Sequence, residues 1–232
     1  MPKKILSEED WPLEWTTVSY KKYARARRTS LLYPTLKQLP PISLFKALKK
    51  RRTQRDFNDK KKISFEELST ILSYCCGEIT PERMRGEKRR MYPSAGALYP
   101  LEIYIALKNN ASVQKLSAGI YHYYVPQHKL EKIMDGEYTK EMKSFFATRE
   151  WDSANCLVLI SARFQRPLSK YKNLSYRFML LEAGAILQNI YLVATALGLK
   201  VGAAGFDDTQ VNRLLDFDDI EESTLSVVAL GK

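Results

Sequence analysis

Apolar positions fall into runs of two kinds along the chain. Short runs without helical spacing, rich in Ile, Val, Leu and Tyr, predict strands over Leu101–Leu107, Gly119–Val125, Cys156–Ile160, Leu199–Ala204 and Leu225–Leu230. Other runs carry helix signals. Ser43 is a ready N-cap for a helix to about Arg52, with Leu44, Ala47 and Leu48 on one face. Ser64-Phe65-Glu66-Glu67 is a capping box that opens a helix to Cys76, and Gly77 ends it. Residues 138–148 read as helical. The longest run, Asn173 to Leu197, holds Leu174, Phe178, Leu181, Ile186, Ile190, Val193 and Leu197, apolar nearly all round, which predicts a central buried helix capped by Gly198. Gly184 inside it costs about 1 kcal/mol relative to Ala, which predicts a close contact there. Gly205-Phe206-Asp207-Asp208 turns the chain into a further helix through Leu215, with either Asp as its cap. The order predicts an α+β fold, helices flanking a largely antiparallel or mixed sheet.

Polar and proline-rich stretches divide these elements. Residues 1–41 read as an extended basic arm, in which Trp11, Trp15, Tyr20, Tyr23 and Tyr33 alternate with Lys21, Lys22, Arg25, Arg27 and Arg28 before Pro34, Pro40 and Pro41. Residues 42–232 form the main domain. Residues 78–90 are polar and basic and predict a mobile loop. It leads into Arg90-Met91-Tyr92-Pro93-Ser94-Ala95-Gly96-Ala97-Leu98-Tyr99-Pro100, a turn of small residues between two prolines that no helix can cross. Ser94, Ala95, Gly96 and Ala97 leave the backbone bare, so a flat or phosphorylated ligand can approach it closely. The cations of Lys49-Lys50-Arg51-Arg52-Thr53-Gln54-Arg55 suit a phosphate, and equally suit a helix C-terminus.

Composition narrows the function classes. The 232 residues are 45% hydrophobic and 27% charged, ordinary for a globular protein. No run of about 18 apolar residues predicts a membrane span, and the N-terminus lacks the apolar core of a signal peptide. Three cysteines, Cys75 and Cys76 adjacent, make no disulfide framework and suit a reducing cytoplasm. The net charge of +11 resides in the first 90 residues, with 22 Lys/Arg against 11 Asp/Glu, whereas the remainder carries 15 of each. Such asymmetry suits a nucleic-acid or acidic partner, and equally a solvated face with a few cations that hold an anionic cofactor; no nucleic-acid-binding motif accompanies it. There is no Gly-x-Gly-x-x-Gly and no phosphate loop. His122 and His128 are too few for a rich metal site, and no Ser/His/Asp order stands out. An enzyme of this make-up would leave the hard step to a cofactor.

Several segments, taken together and in order, resemble the nitroreductase superfamily of flavin enzymes, and more narrowly its SagB- and microcin-type azoline dehydrogenases. They are Arg51 through Phe57, Tyr92 through Pro100, Gly119-Ile120-Tyr121-His122-Tyr123, Tyr176-Arg177 with Leu181-Glu182-Ala183-Gly184, Gln188 through Leu192, and Gly205 through Asp208. The resemblance covers residues 44 to 231. It implies FMN bound at a homodimer interface, and oxidation of thiazolines and oxazolines in a ribosomally made peptide, with O2 as electron acceptor. It implies that Arg51, Arg52, Thr53 and Arg55 meet the FMN phosphate and ribityl chain. Pro93, Ser94, Ala95, Gly96 and Ala97 would lie along the isoalloxazine, and backbone N–H groups near Ala204 and Gly205 would face its N5. Lys170-Tyr171 corresponds to a catalytic pair. Removing a ring C–H proton needs a base over one ring face, and a lysine serves if burial or a neighbouring cation lowers its pKa.

The sequence departs from the family at Ala185, where many relatives have His, and at Ala97, where classical nitroreductases have Asn. Thr53 replaces a commoner Ser. The chain ends at Gly231-Lys232 without the C-terminal cations of classical members, which shifts the expected phosphate grip to the first cluster. The resemblance further implies a cyclodehydratase and its precursor peptide as partners, with residues 1–41 a docking surface. A stand-alone NAD(P)H-dependent nitroreductase-like enzyme is the alternative, and a nucleic-acid-binding module a third class.

Overall fold

Residues 12–13, 19–35, 39–79, 88–109, 112–137, 141, 144–146 and 152–232 are described by the structure, a computed structural model. Its centre is the predicted run β4 (Leu101–Leu107), buried at every position. Tyr104 and Ala106 face one apolar layer while Leu101, Ile103 and Ile105 face another, so both faces of the strand are covered and no polar alternation is needed. Around it runs a seven-stranded sheet in the order β1-β6-β5-β4-β7-β9-β8, in which every pairing is antiparallel. Its other members are β1 (Arg27–Ser30), β5 (Gly119–Tyr124), β6 (Lys129–Asp135), β7 (Cys156–Arg163), β8 (Lys200–Ala204) and β9 (Glu222–Gly231). The sheet is thus antiparallel throughout, the first of the two expected forms.

The sequence pattern missed β1 and β6 for a shared reason. Arg27-Arg28-Thr29-Ser30 is an edge strand of polar residues inside the stretch expected to be an arm, and Lys129–Asp135 is half polar. Between them lie β2 (Glu78–Ile79) and β3 (Arg89–Arg90), which pair where a mobile loop was expected; the centre of that loop, 80–87, lies outside the described residues. Most of the helix expected over 138–148 and the arm's Trp11 and Trp15 lie outside them as well.

Helix α1 (Leu44–Lys50) is capped by the Ser43 hydroxyl, which accepts from Lys46 N at 3.2 Å. Helix α2 (Phe65–Cys76) has the predicted capping box, Glu67 N donating to Ser64 Oγ at 3.0 Å and Ser64 N to Glu67 Oε2 at 2.8 Å. A short helix not foreseen, α3 (Gln165–Tyr171), precedes the long helix α4 (Ser175–Leu197). Asp207, rather than Asp208, caps α5 (Asp208–Leu215), accepting from Gln210 N at 3.2 Å.

Two expectations for the long helix need correction. It is buried on one stripe only, through Met179, Glu182, Ala183, Ile186, Ile190, Tyr191 and Ala194, while Tyr176, Leu180 and Leu181 are exposed. Nor does Gly184 make the expected close contact: a Cβ there would meet nothing within 4 Å. Within Gln165–Leu197 an 18-residue stretch of mean hydropathy 1.5 is, by length and composition, apolar enough to cross a membrane, contrary to the reading of composition. Its buried stripe, however, packs against α2 and the sheet as a core helix does.

Candidate active site

Helix α4 positions the site through two polar side chains on its buried stripe, Glu182 and Tyr191. They are nine residues apart, so about 13 Å along the axis. Each fastens one of the segments singled out from sequence.

Glu182 holds the proline-bounded turn. Its Oε1 accepts from Ser94 Oγ at 2.8 Å and from Ala95 N at 3.1 Å, and Ser94 Oγ in turn accepts from Tyr99 N at 2.9 Å. Asn189 Nδ2 adds a bond to Met91 O at 3.0 Å. The turn needs such holding, because Gly96 (φ 61°), Ala97 (φ 53°) and Tyr99 (φ 48°) all lie in the left-handed region. For the two non-glycine residues this costs on the order of 1–3 kcal/mol each.

The same turn meets the Lys170-Tyr171 pair. A Cβ built on Gly96 would stand 2.6 Å from the Tyr171 hydroxyl and 3.2 Å from Lys170 Nζ, so only glycine allows this approach. Both residues end α3, and Lys172, at φ 49°, then turns the chain towards α4. The Tyr171 ring packs edge-on against Phe178 of α4, 5.1 Å between centroids. Burial, with the nearby Glu182 charge, raises the Tyr171 pKa, which keeps the phenol protonated. Burial also pushes the Glu182 carboxyl up to about 7, against the lowering pull of Ser94, Ala95 and Arg90.

Tyr191 organises the second segment. Its hydroxyl lies 3.1 Å from Thr53 Oγ1 and accepts from Ala203 N at 2.9 Å, one residue before Ala204. The Arg51 guanidinium sits 5.4 Å over the Tyr191 ring, and Gln54 N bonds Val201 O at 2.9 Å. The 51–55 segment is thereby laid alongside the end of β8, where Ala204 and the exposed Gly205 follow. Arg52 instead folds back on the carbonyls of Lys49 and Arg51, at 2.9 and 2.8 Å.

The structure therefore gathers the predicted residues into two groups, Pro93–Ala97 with Lys170-Tyr171, and Arg51–Arg55 with Ala204-Gly205, joined by α4. Sequence reasoning quoted Glu182 and Tyr191 within its motifs but gave them no role. The signal for Glu182 was a carboxylate on the buried stripe of an apolar helix, which needs a partner. Arg90, which opens the turn, is a buried structural cation: it donates to Tyr92 OH at 3.0 Å and to Leu101 O at 3.1 Å.

The model of the family described as Nitroreductase family matches residues 48–232. A protein of Methanocaldococcus jannaschii named as a nitroreductase is 33% identical over 200 residues, covering 84% of this chain and 95% of its own. The microcin B17-processing protein of Escherichia coli is 29% identical over 76% of this chain, and this chain spans 65% of its length. For the trifolitoxin-processing protein of Rhizobium leguminosarum the values are 27%, 73% and 48%. Among solved structures, the E. coli microcin synthetase complex with truncated pro-microcin bound superposes with a TM-score of 0.67 at 26% identity, over 88% of this chain and 77% of that one. A nitroreductase-fold protein of Anabaena variabilis reaches 0.73 at 24% identity, over 94% of this chain and 44% of that one. The chain belongs to the nitroreductase family of oxidoreductases, with the microcin- and trifolitoxin-processing proteins among its relatives.

Proposed function

We propose that this oxidoreductase is an FMN-dependent dehydrogenase that converts thiazolines and oxazolines of a ribosomally made peptide into thiazoles and oxazoles. The observation that carries the reading is the seating of Lys170 and Tyr171 on Gly96, which sets a base and a phenol over a bare-backbone turn. The residues present fit FMN. Arg51, Thr53 and Arg55 offer cations and a hydroxyl to a phosphate and ribityl chain, with Arg52 beside them. The small residues Ser94–Ala97 admit a flat ring, and Ala204 and Gly205 offer backbone N–H donors. When bound, FMN would accept the hydride lost from the azoline ring, and O2 would reoxidise it.

The rest of the chemistry belongs to the chain. Aromatising the ring breaks one C–H bond as a proton and one as a hydride. In this reading Lys170 Nζ takes the proton, and Tyr171, held protonated, donates a hydrogen bond that orients the ring. The partners follow from the same reading: a homodimer that completes the site, and a cyclodehydratase that delivers the azoline peptide, docked through residues 1–41. The relatives' names support it, since two are processing proteins for ribosomal peptides and one solved relative lies in a synthetase with its propeptide bound.

The test is an absorption spectrum of the purified protein, identification of the heat-released chromophore, and anaerobic mixing with an azoline peptide. Released FMN, bleached by the peptide and restored by air with a thiazole or oxazole formed, is the expected result. A colourless protein that takes up no added FMN overturns the cofactor. Flavin bleached by NADPH but untouched by azoline peptides overturns the substrate.

A further inference from the structure

Glu182 has one occupied oxygen and one empty one. Oε1 accepts two hydrogen bonds from the turn, whereas Oε2 is buried with no partner, and the residue is only 4% exposed. A carboxylate so placed would keep half its charge away from water and from any donor, which is costly. The groups around it do not relieve this. Arg90 on β3 attracts its charge, but its Nη1 bonds go to Tyr92 and Leu101 O, and its buried Nε, like Glu182 Oε2, has no partner, so the two do not meet. Tyr92 in the turn and Tyr171 on α3 stay neutral phenols beside it, and neither donates to Oε2. A proton on Oε2 removes the buried charge and leaves both bonds at Oε1 intact, because those bonds need only an acceptor.

We propose that Glu182 is a positioning residue that works as a neutral acid: its hydrogen-bonded oxygen clamps the strained Ser94–Tyr99 turn beneath Tyr171 and Lys170, while its unpartnered oxygen carries a proton. The clamp acts on the ligand through the turn and on the catalytic pair through Gly96. The inference rests on the FMN reading for its functional consequence, and on the geometry alone for the proton. A raised carboxyl pKa agrees with it.

Two measurements decide it. The first is infrared difference spectroscopy of the full chain, without added ligand, across a pH titration. A protonated-carboxyl carbonyl band that persists near neutrality and vanishes in Glu182→Gln is expected; the same band in both proteins, or none in the wild type, overturns the neutral acid. The second is FMN affinity by flavin fluorescence. Glu182→Gln keeps an acceptor at the clamp and retains wild-type affinity, now independent of pH across neutrality. Glu182→Ala and the milder Ser94→Ala remove one or both bonds and weaken binding about tenfold, the worth of one to two hydrogen bonds. Unchanged affinity in both alanine variants overturns the clamp. If no form of the protein binds FMN, the cofactor reading fails, and the infrared result still decides the proton.

Discussion

Arg166 on α3 pairs with Glu102 at the start of β4 and also donates to Tyr99 O at 2.8 Å, which ties the helix bearing Lys170 and Tyr171 to both ends of the turn-to-strand junction. The pair continues inward. Glu102 Oε2 lies 3.1 Å from His122 Nε2, His122 Nδ1 lies 3.0 Å from Glu131 Oε2, and Glu131 Oε1 accepts from Arg28 Nε on β1 at 2.9 Å. A line of alternating charge thus runs from the edge strand β1 to α3. Removing Arg166 leaves Glu102 charged, buried and short of a partner, which typically costs about 3–5 kcal/mol. Arg166→Met should lower the melting temperature by roughly 10 °C for a domain of this size. Adding Glu102→Gln should recover part of that loss, because it removes the stranded charge. A single variant that melts like the wild type would show that the pair does not anchor α3.

The same groups set a pH profile for stability. Burial disfavours the Glu102 anion, but Arg166 first and then His122 outweigh it and bring its pKa to about 2. Its contribution is complete above the ordinary 4.5 and is lost as pH falls towards 2. Burial would lower the His122 pKa, yet its bonds to Glu102 and Glu131 raise it above the ordinary 6.5. That contribution is complete below 6.5 and is lost as pH rises through the raised value. Glu182, raised by burial from 4.5 to about 7, acts in the same direction: stability falls between those values, by on the order of 3 kcal/mol. Thermal melts should peak near pH 4.5 and decline on both sides. Glu182→Gln should flatten the decline up to about pH 7 and leave the acid limb alone. A decline of equal slope in that variant would remove Glu182 as its cause.

Much of this was legible in the sequence, and what was not has a physical pattern. The capping box at Ser64 and the apolar run at Leu101 appeared where expected, because local hydrogen bonding and burial on both faces write themselves into a few adjacent residues. The pairing of Lys170-Tyr171 with Gly96 is a contact across more than seventy positions; the family resemblance drew attention to the pair but not to its seat on the turn. Buried polar partners were the least visible. His122 sits within an apolar strand, Glu102 opens one, and Arg166 belongs to a polar stretch with no periodic signal. Glu102 joins the other two, pairing with Arg166 on one side and His122 on the other.

Gly96 offers a test of the site that leaves every catalytic group in place. Gly96→Ala puts a methyl group within 2.6 Å of the Tyr171 hydroxyl, at a backbone φ of 61° that alanine resists. The backbone term alone is about 1 kcal/mol. Melting should fall by a few degrees, while turnover of azoline peptide should fall far more, because the pair must retreat from the turn. Full turnover in the variant would mean that the contact is incidental.

The pair itself is tested by Lys170→Ala and Tyr171→Phe. Neither residue belongs to the groups proposed to hold FMN, so both variants should retain the flavin spectrum. Loss of a positioned base or phenol typically removes about 10²–10⁴-fold in rate. Single-turnover bleaching of the flavin by an azoline peptide measures that step directly. Wild-type bleaching in the double variant would exclude the pair from the chemistry.

The proposed homodimer is best tested where the chain leaves apolar surface open. Phe45 on α1 is 82% exposed and Leu181 on α4 is 66% exposed, with Leu44, Leu48, Tyr176 and Leu180 exposed beside them on the same two helices. Patches of this kind mark interaction surfaces. Gly184 lies one turn beyond Leu180 on α4, with no atom of the described residues within 4 Å of its Cβ position, so a partner's backbone can come close there. Leu181→Glu places a charge in such an interface and should yield monomers by sedimentation, with weakened FMN binding. Gly184→Leu is the sharper variant. In an isolated chain its Cβ enters open space among the described residues and it replaces a poor helix former, a gain of up to about 1 kcal/mol. Across a two-fold axis the same side chain blocks the approach of the partner. A variant that melts higher as a monomer yet dimerises worse would establish this face as the interface; one that dimerises as the wild type does would move the interface elsewhere.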